Sequence, residues 1–165
     1  MELLLTINEN NFEPQNYSIR KVVRSLILDE TETKILFFGG MIVGGGVEEG
    51  ETDEEALARE AMEEVGARIE IIKPLGEVVA FRDYLKKKYI VHGYLCKIVG
   101  QLEKPTSIDP EEQNTKPVWI DIQGSIKKME DEIESLLTET DPIQDDIFQR
   151  RIYNRKISLT FLKEL

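Results

Sequence analysis

Three glutamates, Glu60, Glu63 and Glu64, are spaced so that one face of a helix can gather their carboxylates. At about 100° per residue, all three fall within one arc of about 100°. They lie in the second half of the predicted helix, where the helix macrodipole disfavours negative charge. Helix propensity therefore does not explain them, whereas a hard divalent cation does, because Mg²⁺ prefers oxygen ligands.

A run of glycines precedes this helix and can supply the remaining parts of such a site. Gly44, Gly45 and Gly46 can adopt backbone angles that other residues avoid. A carbonyl can then turn towards a cation, and the backbone can approach a phosphate closely. Together with the carboxylates, these glycines indicate a site that binds a polyanion through metal ions.

The negative charge of the chain is concentrated around this helix. The 165 residues carry a formal net charge of −11, and the segment 48–64 holds nine carboxylates against the single Arg59. Charges this dense are unfavourable unless they are solvated, protonated or neutralised by a cation. The segment is therefore either an exposed acidic face or a metal site. The acidic balance also argues against a protein that holds a nucleic-acid backbone by charge alone.

The elements that must position these residues are strands on both sides of one central helix. Thr52 and Glu55 form a capping box, and Gly66 suits the position just beyond a helix end, so the helix is predicted to begin after Thr52 and to stop at Gly66. This mixed order favours an α/β sandwich with a mixed sheet. The other predicted elements are strands at 21–28, 34–38, 68–81, 88–99 and 117–122, a loop at 100–116, a helix at 124–138, and a last helix that opens at Asp141-Pro142 and runs towards Leu162.

Length and composition set the class of protein. The chain fits one compact domain over residues 1–165, and Cys96 has no second cysteine with which to form a disulfide. No stretch approaches the roughly 18 apolar residues of a membrane span, and the first residues do not have the pattern of a signal peptide. We therefore expect a cytoplasmic protein with no membrane contact.

The chain resembles the Nudix hydrolases in residues 45–67. Gly45, five residues, Glu51, seven residues and then Arg59-Glu60-Ala61-Met62-Glu63-Glu64-Val65-Gly66 match the family's box at each of its seven fixed positions. Two features depart from the usual pattern. Val43 stands where the family often has proline, and both aliphatic positions of the box are alanine, at 61 and 67.

The resemblance implies a Nudix-type α/β/α sandwich with a mixed sheet, in which the box forms a loop, a helix and a loop. It implies a Mg²⁺-dependent pyrophosphohydrolase, with Mn²⁺ as an alternative cofactor, in which metal-activated water cleaves a diphosphate bond in a nucleoside triphosphate or another nucleoside diphosphate derivative. Alternatives are hydrolysis of dinucleoside polyphosphates or nucleotide sugars, or a nucleotide-binding module without catalysis. The implied partner is a small nucleotide and not a nucleic acid, and a homodimer is left open.

The resemblance also assigns roles to residues of the box. The implied metal ligands are Glu63 and Glu64, joined by Glu60 and the Gly44 carbonyl. Arg59 and Glu51 would orient these carboxylates, and further positions around the site would be Gly45 and Glu48.

A further carboxylate is expected from the loop before Trp119. Glu111 and Glu112 are the candidates, and Glu112 is favoured. The implied catalytic set is Arg59, Glu60, Glu64 and Glu112, and either Glu60 or Glu112 would act as the base.

Residues outside the box give weaker indications. His92 is predicted to be a packed or hydrogen-bonded core group and Cys96 a buried apolar group. Tyr84, seventeen residues past Ala67, resembles the tyrosine that dinucleoside polyphosphate hydrolases of the family have near this position, and that resemblance favours polyphosphate substrates. The basic C-terminal residues can be favourable charges near a helix C-terminus, which is the preferred interpretation, or phosphate ligands. These residues are Arg150, Arg151, Arg155, Lys156 and Lys163.

Overall fold

The computed structural model describes residues 1–8, 16–138 and 146–165. Seven strands in these parts of the chain form one sheet, and α-helices cover both of its faces. The strands are β1 Leu3–Ile7, β2 Ser18–Leu28, β3 Lys34–Phe38, β4 Met41–Ile42, β5 Ile69–Arg82, β6 Lys87–Ile98 and β7 Val118–Asp121. The helices are α1 Asp53–Val65, α2 Pro110–Gln113, α3 Ile122–Thr138 and α4 Asp146–Leu162.

The sheet is mixed and runs in the order β1, β5, β6, β2, β3, β4, with β7 paired to β3. β1 pairs with β5 and β2 pairs with β6 in parallel, whereas β5 and β6 form a long antiparallel hairpin. The register places Arg20 beside Tyr89 and Tyr89 beside Ala80. Because alternate side chains of a strand share a face, this register decides which distant residues meet on each side of the sheet.

Each face of the sheet has its own apolar core. On one face, Ala61 and Val65 of α1 pack with Val43 and Cys96. Cys96 is fully buried, as predicted, and burial raises the pKa of its thiol to about 12. On the other face α3 and α4 pack closely enough that a Cβ added to Gly93 would lie 2.4 Å from the Phe161 ring. The predicted α/β/α sandwich is confirmed.

The helix boundaries around the acidic segment follow the local sequence. The Thr52 hydroxyl accepts from the Glu55 amide at 3.2 Å, and the Thr52 amide donates to the Glu55 carboxylate at 2.8 Å. Gly66 closes α1 with a φ of 65°, a left-handed conformation that glycine adopts at little cost. The predicted helix and both of its caps are confirmed.

Most of the other predicted elements lie within a few residues of the observed ones, and the differences have local causes. The loop predicted at 100–116 contains α2, a single turn that begins at Pro110. β1 and β4 were not predicted, because both are short and depend on pairing with β5 and β3. The predicted start of the last helix at Asp141-Pro142 lies outside the described residues, and α4 is observed from Asp146. None of the described helices is long and apolar enough to cross a membrane.

A polar network fastens the start of α1 to the sheet. Asp53 Oδ2 lies 2.5 Å from His92 Nδ1 and accepts from the Tyr94 hydroxyl at 2.7 Å, while His92 Nε2 lies 3.2 Å from Glu77. His92 is therefore a hydrogen-bonded group, as predicted. Burial acts to raise the pKa of Asp53, but the hydrogen bonds from Tyr94 and His92 outweigh it, so the pKa is lower than usual.

Replacing Asp53 with Asn should destabilise the fold in a pH-dependent way. A lowered folded-state pKa gives stability that is present above the unfolded pKa of about 3.9 and is lost as pH falls through the folded value. We expect Asp53→Asn to cost about 1–3 kcal/mol at pH 7 and progressively less below pH 4, measured by urea unfolding. Glu54→Gln, an exposed neighbour on the same turn, is the matched control. An equal cost at pH 7 and pH 2.5 would contradict this account.

Candidate functional site

The glycine loop, residues 43–46, lies along β2 and is held there by backbone hydrogen bonds. The Ser25 amide donates to the Val43 carbonyl at 2.8 Å, and the Val23 amide donates to the Gly45 carbonyl at 2.9 Å. Gly44 has a φ of 135°, and a Cβ at this position would lie 2.3 Å from the Val23 carbonyl oxygen. Glycine is therefore required at Gly44 for the loop to lie this close to β2.

The loop contacts α1 through two carboxylates. The Gly44 amide donates to Glu64 Oε2 at 3.0 Å. A Cβ on Gly45 would lie 2.3 Å from Glu60 Oε1, so the Glu60 carboxylate occupies the space that a side chain at Gly45 would fill. The glycines thus let two helix carboxylates approach the loop backbone.

Arg59 connects the loop, the helix and the preceding turn. Its Nε and Nη2 donate to Glu51 at 2.9 and 3.1 Å, and Nη2 also donates to the Gly46 carbonyl at 2.8 Å. Its Nη1 donates to Glu60 at 2.7 Å and to Glu63 at 3.2 Å. One guanidinium therefore sets the positions of three carboxylates, and the hydrogen bonds that Arg59 donates to Glu51 raise the pKa of Arg59 further above its usual value.

Partial burial disfavours the ionised form of Glu60 and Glu64, the two carboxylates that face the glycine loop. Desolvation raises the pKa of Glu64 to about 8, the nearby charges of Glu60 and Glu112 raise it further, and Arg24 and the Gly44 amide oppose the shift. Desolvation also raises the pKa of Glu60, against the hydrogen bond from Arg59. The positive groups beside Glu60 and Glu64 therefore do not fully offset the cost of burying their charges.

Glu60 and Glu64 open onto a cavity of about 670 Å³. Glu112 of α2 also lines this cavity, and its carboxylate accepts a hydrogen bond from the Ser107 hydroxyl. The floor is one face of β2, β5 and β6, and α4 forms the opposite wall with Arg150, Tyr153, Asn154 and Ile157. Carboxylates, a glycine loop and a deep cavity thus meet at one place.

The remaining predicted site residues lie at different distances from this cavity. Glu63 does not line it and instead contacts Arg59. Glu48 is exposed, and its backbone amide donates to Glu51 at 2.9 Å. The side chains of Glu111 and Tyr84 lie outside what the structure describes. The functional roles assigned to the site residues remain predictions.

The donor set fits a hard divalent cation by its chemistry. Glu60, Glu64 and the Gly44 carbonyl present oxygen atoms only, and the raised pKa values record negative charge without enough compensation. Two arginines occupy the positions where a cation would bind. Arg59 Nη1 donates to Glu60, and Arg24 Nη1 donates to the Gly44 carbonyl. Among the described residues, no three His, Cys, Asp or Glu side chains are already gathered as a metal site. Binding of a cation at the Gly44 carbonyl would therefore require the Arg24 guanidinium to move away from it.

Sequence reasoning missed three of the four arginines that line the cavity and named only Arg150, as an alternative phosphate ligand among the basic C-terminal residues. Arg20 and Arg24 of β2, Arg82 of β5 and Arg150 of α4 all line it. The two-residue period already puts Arg20 and Arg24 on one face of a strand, but only the sheet register adds Arg82 to that face.

The prediction that the basic C-terminal residues sit near a helix C-terminus is wrong for Arg150. It lies near the start of α4, with its guanidinium on the cavity. Arg155 and Lys163 pair instead with carboxylates of α3, Glu132 at 2.6 Å and Glu130 at 2.9 Å.

Two curated relatives match part of this chain. The chain is 52% identical over 52 residues to the nucleoside triphosphatase NudI of Enterobacter sp. (strain 638), covering 30% of the chain and 34% of that relative. It is 34% identical over 80 residues to an RNA pyrophosphohydrolase of Psychrobacter sp. (strain PRwf-1), covering 47% of the chain and 45% of that relative. The alignments thus span less than half the length of either curated relative.

The fold is also similar to that of a solved protein. A MutT NUDIX hydrolase from Burkholderia pseudomallei superposes with a TM-score of 0.53 at 16% identity, over 83% of this chain and 98% of that one. The family model described as NUDIX domain matches residues 21–139, most of the chain, including the glycine loop and all of α1. The chain therefore belongs to the NUDIX family.

Proposed function

We propose that the chain is a single-domain, Mg²⁺-dependent pyrophosphohydrolase that cleaves a diphosphate bond in a nucleoside triphosphate or a related nucleoside diphosphate derivative. The observation that carries this proposal is the pair of half-buried carboxylates, Glu60 and Glu64, held against the glycine loop at the wall of the cavity. Such a pair is costly without a cation and serves no purpose in packing. Its position beside a nucleotide-sized cavity supports a site for metal-assisted phosphate chemistry.

Glu64, Glu60 and the Gly44 carbonyl are the groups that would hold the cation, with Glu63 as a further carboxylate beside Arg59. A bound divalent cation supplies neutralisation of phosphate charge and polarisation of the bond to be broken. Mn²⁺ has the same preference for oxygen donors and is expected to substitute. Arg59, fixed by Glu51, keeps Glu60 and Glu63 in place during this exchange of cations.

The protein's own groups then manage water and protons. Water attacks phosphorus, the bridging bond to the leaving phosphate breaks, and the leaving oxygen takes the electron pair. We assign the proton of that water to the Glu112 carboxylate, which faces the cavity from α2, with Glu60 as the alternative base. The Gly44 amide, donating to Glu64, keeps that carboxylate directed towards the loop.

The names of the relatives favour a substrate with a chain of phosphates over a nucleotide sugar. One matched protein is named a nucleoside triphosphatase and the other an RNA pyrophosphohydrolase. Because this chain is strongly acidic, we propose a small cytoplasmic nucleotide as the substrate and not a nucleic acid.

Replacing Glu64 with Gln should abolish most turnover without unfolding the protein. Wild-type protein with Mg²⁺ should release phosphate, pyrophosphate or monophosphate from at least one member of a panel of nucleoside triphosphates, nucleoside diphosphate sugars and an RNA with a 5′-triphosphate. Glu64→Gln should lower that rate by about 10²- to 10⁴-fold, because it removes a charged oxygen at the reaction centre. Millimolar Mg²⁺ should raise the melting temperature of the wild type but not of this variant.

Glu49→Gln is the matched control for this experiment. Glu49 is exposed in the same acidic segment and does not line the cavity, so its loss changes the net charge equally. If Glu64→Gln retains the turnover of Glu49→Gln, the assigned metal site is wrong. Binding of nucleotides by the wild type, without hydrolysis of any, would favour a sensor over an enzyme.

Glu112→Gln should separate the base from the metal ligands. If Glu112 accepts the proton, turnover should fall by about 10²-fold or more, while the Mg²⁺-dependent rise in melting temperature stays near the wild-type value. Mg²⁺ titrations followed by thermal unfolding and by initial rates measure both quantities. Near-normal turnover across the pH range would move the role of base to Glu60.

A further inference from the structure

The cavity beside the carboxylates carries an excess of positive charge on its other surfaces. Among its described lining residues, four are arginine and none is lysine, although the chain has more lysines than arginines. Only three lining residues are acidic, in a protein whose net charge is −11. Arginine presents a planar fork of donors that matches phosphate oxygens, whereas lysine does not.

These arginines come from separate elements and converge through the fold. Arg20, Arg24 and Arg82 share one face of the sheet because β2, β6 and β5 are in register. Arg150 faces them from α4, and its charge is close enough to act on Arg24. Arg24 is engaged with the Gly44 carbonyl. The other three arginines that line the cavity are here named the arginine wall.

The three arginines of the wall differ in their burial and in the groups that they contact. The Arg82 side chain is almost buried and lies over the Tyr89 ring at 5.5 Å, an arrangement that holds its guanidinium in place. Arg20 lies against the glycine loop, where a Cβ on Gly46 would approach its Nη2 to 2.6 Å. Within the described residues, neither Arg20 nor Arg150 forms an ion pair with a carboxylate. The two exposed guanidiniums therefore carry charge that no described acid neutralises.

We propose that the arginine wall, Arg20, Arg82 and Arg150, binds phosphate groups of the substrate beyond those held at the metal site. This inference rests on the proposed function and narrows it. The wall selects nucleotides with three or more consecutive phosphates over nucleoside diphosphate sugars, because a sugar offers hydroxyls where the wall requires anionic oxygens. The cavity would then have a carboxylate end for the cation and an arginine end for the remaining phosphates.

The test compares the two substrate classes in charge-neutralised variants. Arg20→Gln and Arg150→Gln change exposed residues on different elements, so both should fold. Each should lower kcat/KM for a nucleoside triphosphate by about 10- to 100-fold, mainly through KM, and change kcat/KM for a nucleoside diphosphate sugar far less. Arg150→Lys should recover only part of the loss, because it keeps the charge but not the fork. Arg68→Gln removes an equal charge on the surface, beside Glu103, and should behave as the wild type.

A second measurement does not depend on turnover. Inorganic tripolyphosphate without divalent metal should raise the melting temperature of the wild type and of Arg68→Gln, and the double variant Arg20→Gln/Arg150→Gln should lose that rise. Equal losses for both substrate classes, a wild-type preference for nucleotide sugars, or an unchanged tripolyphosphate effect would each overturn the inference. Failure of hydrolysis with every substrate would instead overturn the proposed function, and the tripolyphosphate result would still decide the role of the wall.

Discussion

The site is organised by the need to compensate two half-buried carboxylates that face the same glycine loop. Glu60 and Glu64 lie against the glycine loop, and partial burial raises the pKa of each carboxyl group. The free-energy cost of two partly buried negative charges falls when they are protonated or when guanidinium groups or a metal ion neutralise them. Arg59 and Arg24 supply the guanidiniums, and a divalent cation would satisfy the same oxygens more completely.

The surrounding fold maintains this costly arrangement. The glycine loop is fixed along β2 by backbone hydrogen bonds, and the start of α1 is fixed to β6 through Asp53, His92 and Tyr94. These two sets of contacts keep the carboxylates of α1 close to the loop. The free energy lost by partly burying these two acids is thus the cost of a site whose charged groups are already in position.

Local patterns in the sequence predicted the parts of the site that are local in the chain. The capping box at Thr52, the stop at Gly66 and the grouping of carboxylates on α1 all depend on residues within one short segment. Glu63 shows the limit of such reasoning, since it shares that helix face but contacts Arg59 and does not line the cavity. A helix wheel gives the direction of a side chain but not what lies opposite to it.

The arginines could not be placed from the sequence for a different reason. Arg20, Arg82 and Arg150 are distant in the chain and meet only because parallel and antiparallel pairings set β2, β5 and β6 in register and because α4 packs across them. Register depends on the whole sheet, and no short motif encodes it. The strand β1 was missed on similar grounds, since its pairing partner β5 lies more than sixty residues away.

The most direct test of the central claim is to locate a bound cation. Crystals grown with Mn²⁺ and measured at the manganese absorption edge would show its position by anomalous scattering. The account predicts a peak in contact with Glu64, Glu60 and the Gly44 carbonyl, with the Arg24 guanidinium displaced from that carbonyl. No peak at saturating Mn²⁺, or one bound only by exposed carboxylates such as Glu48 and Glu49, would contradict it.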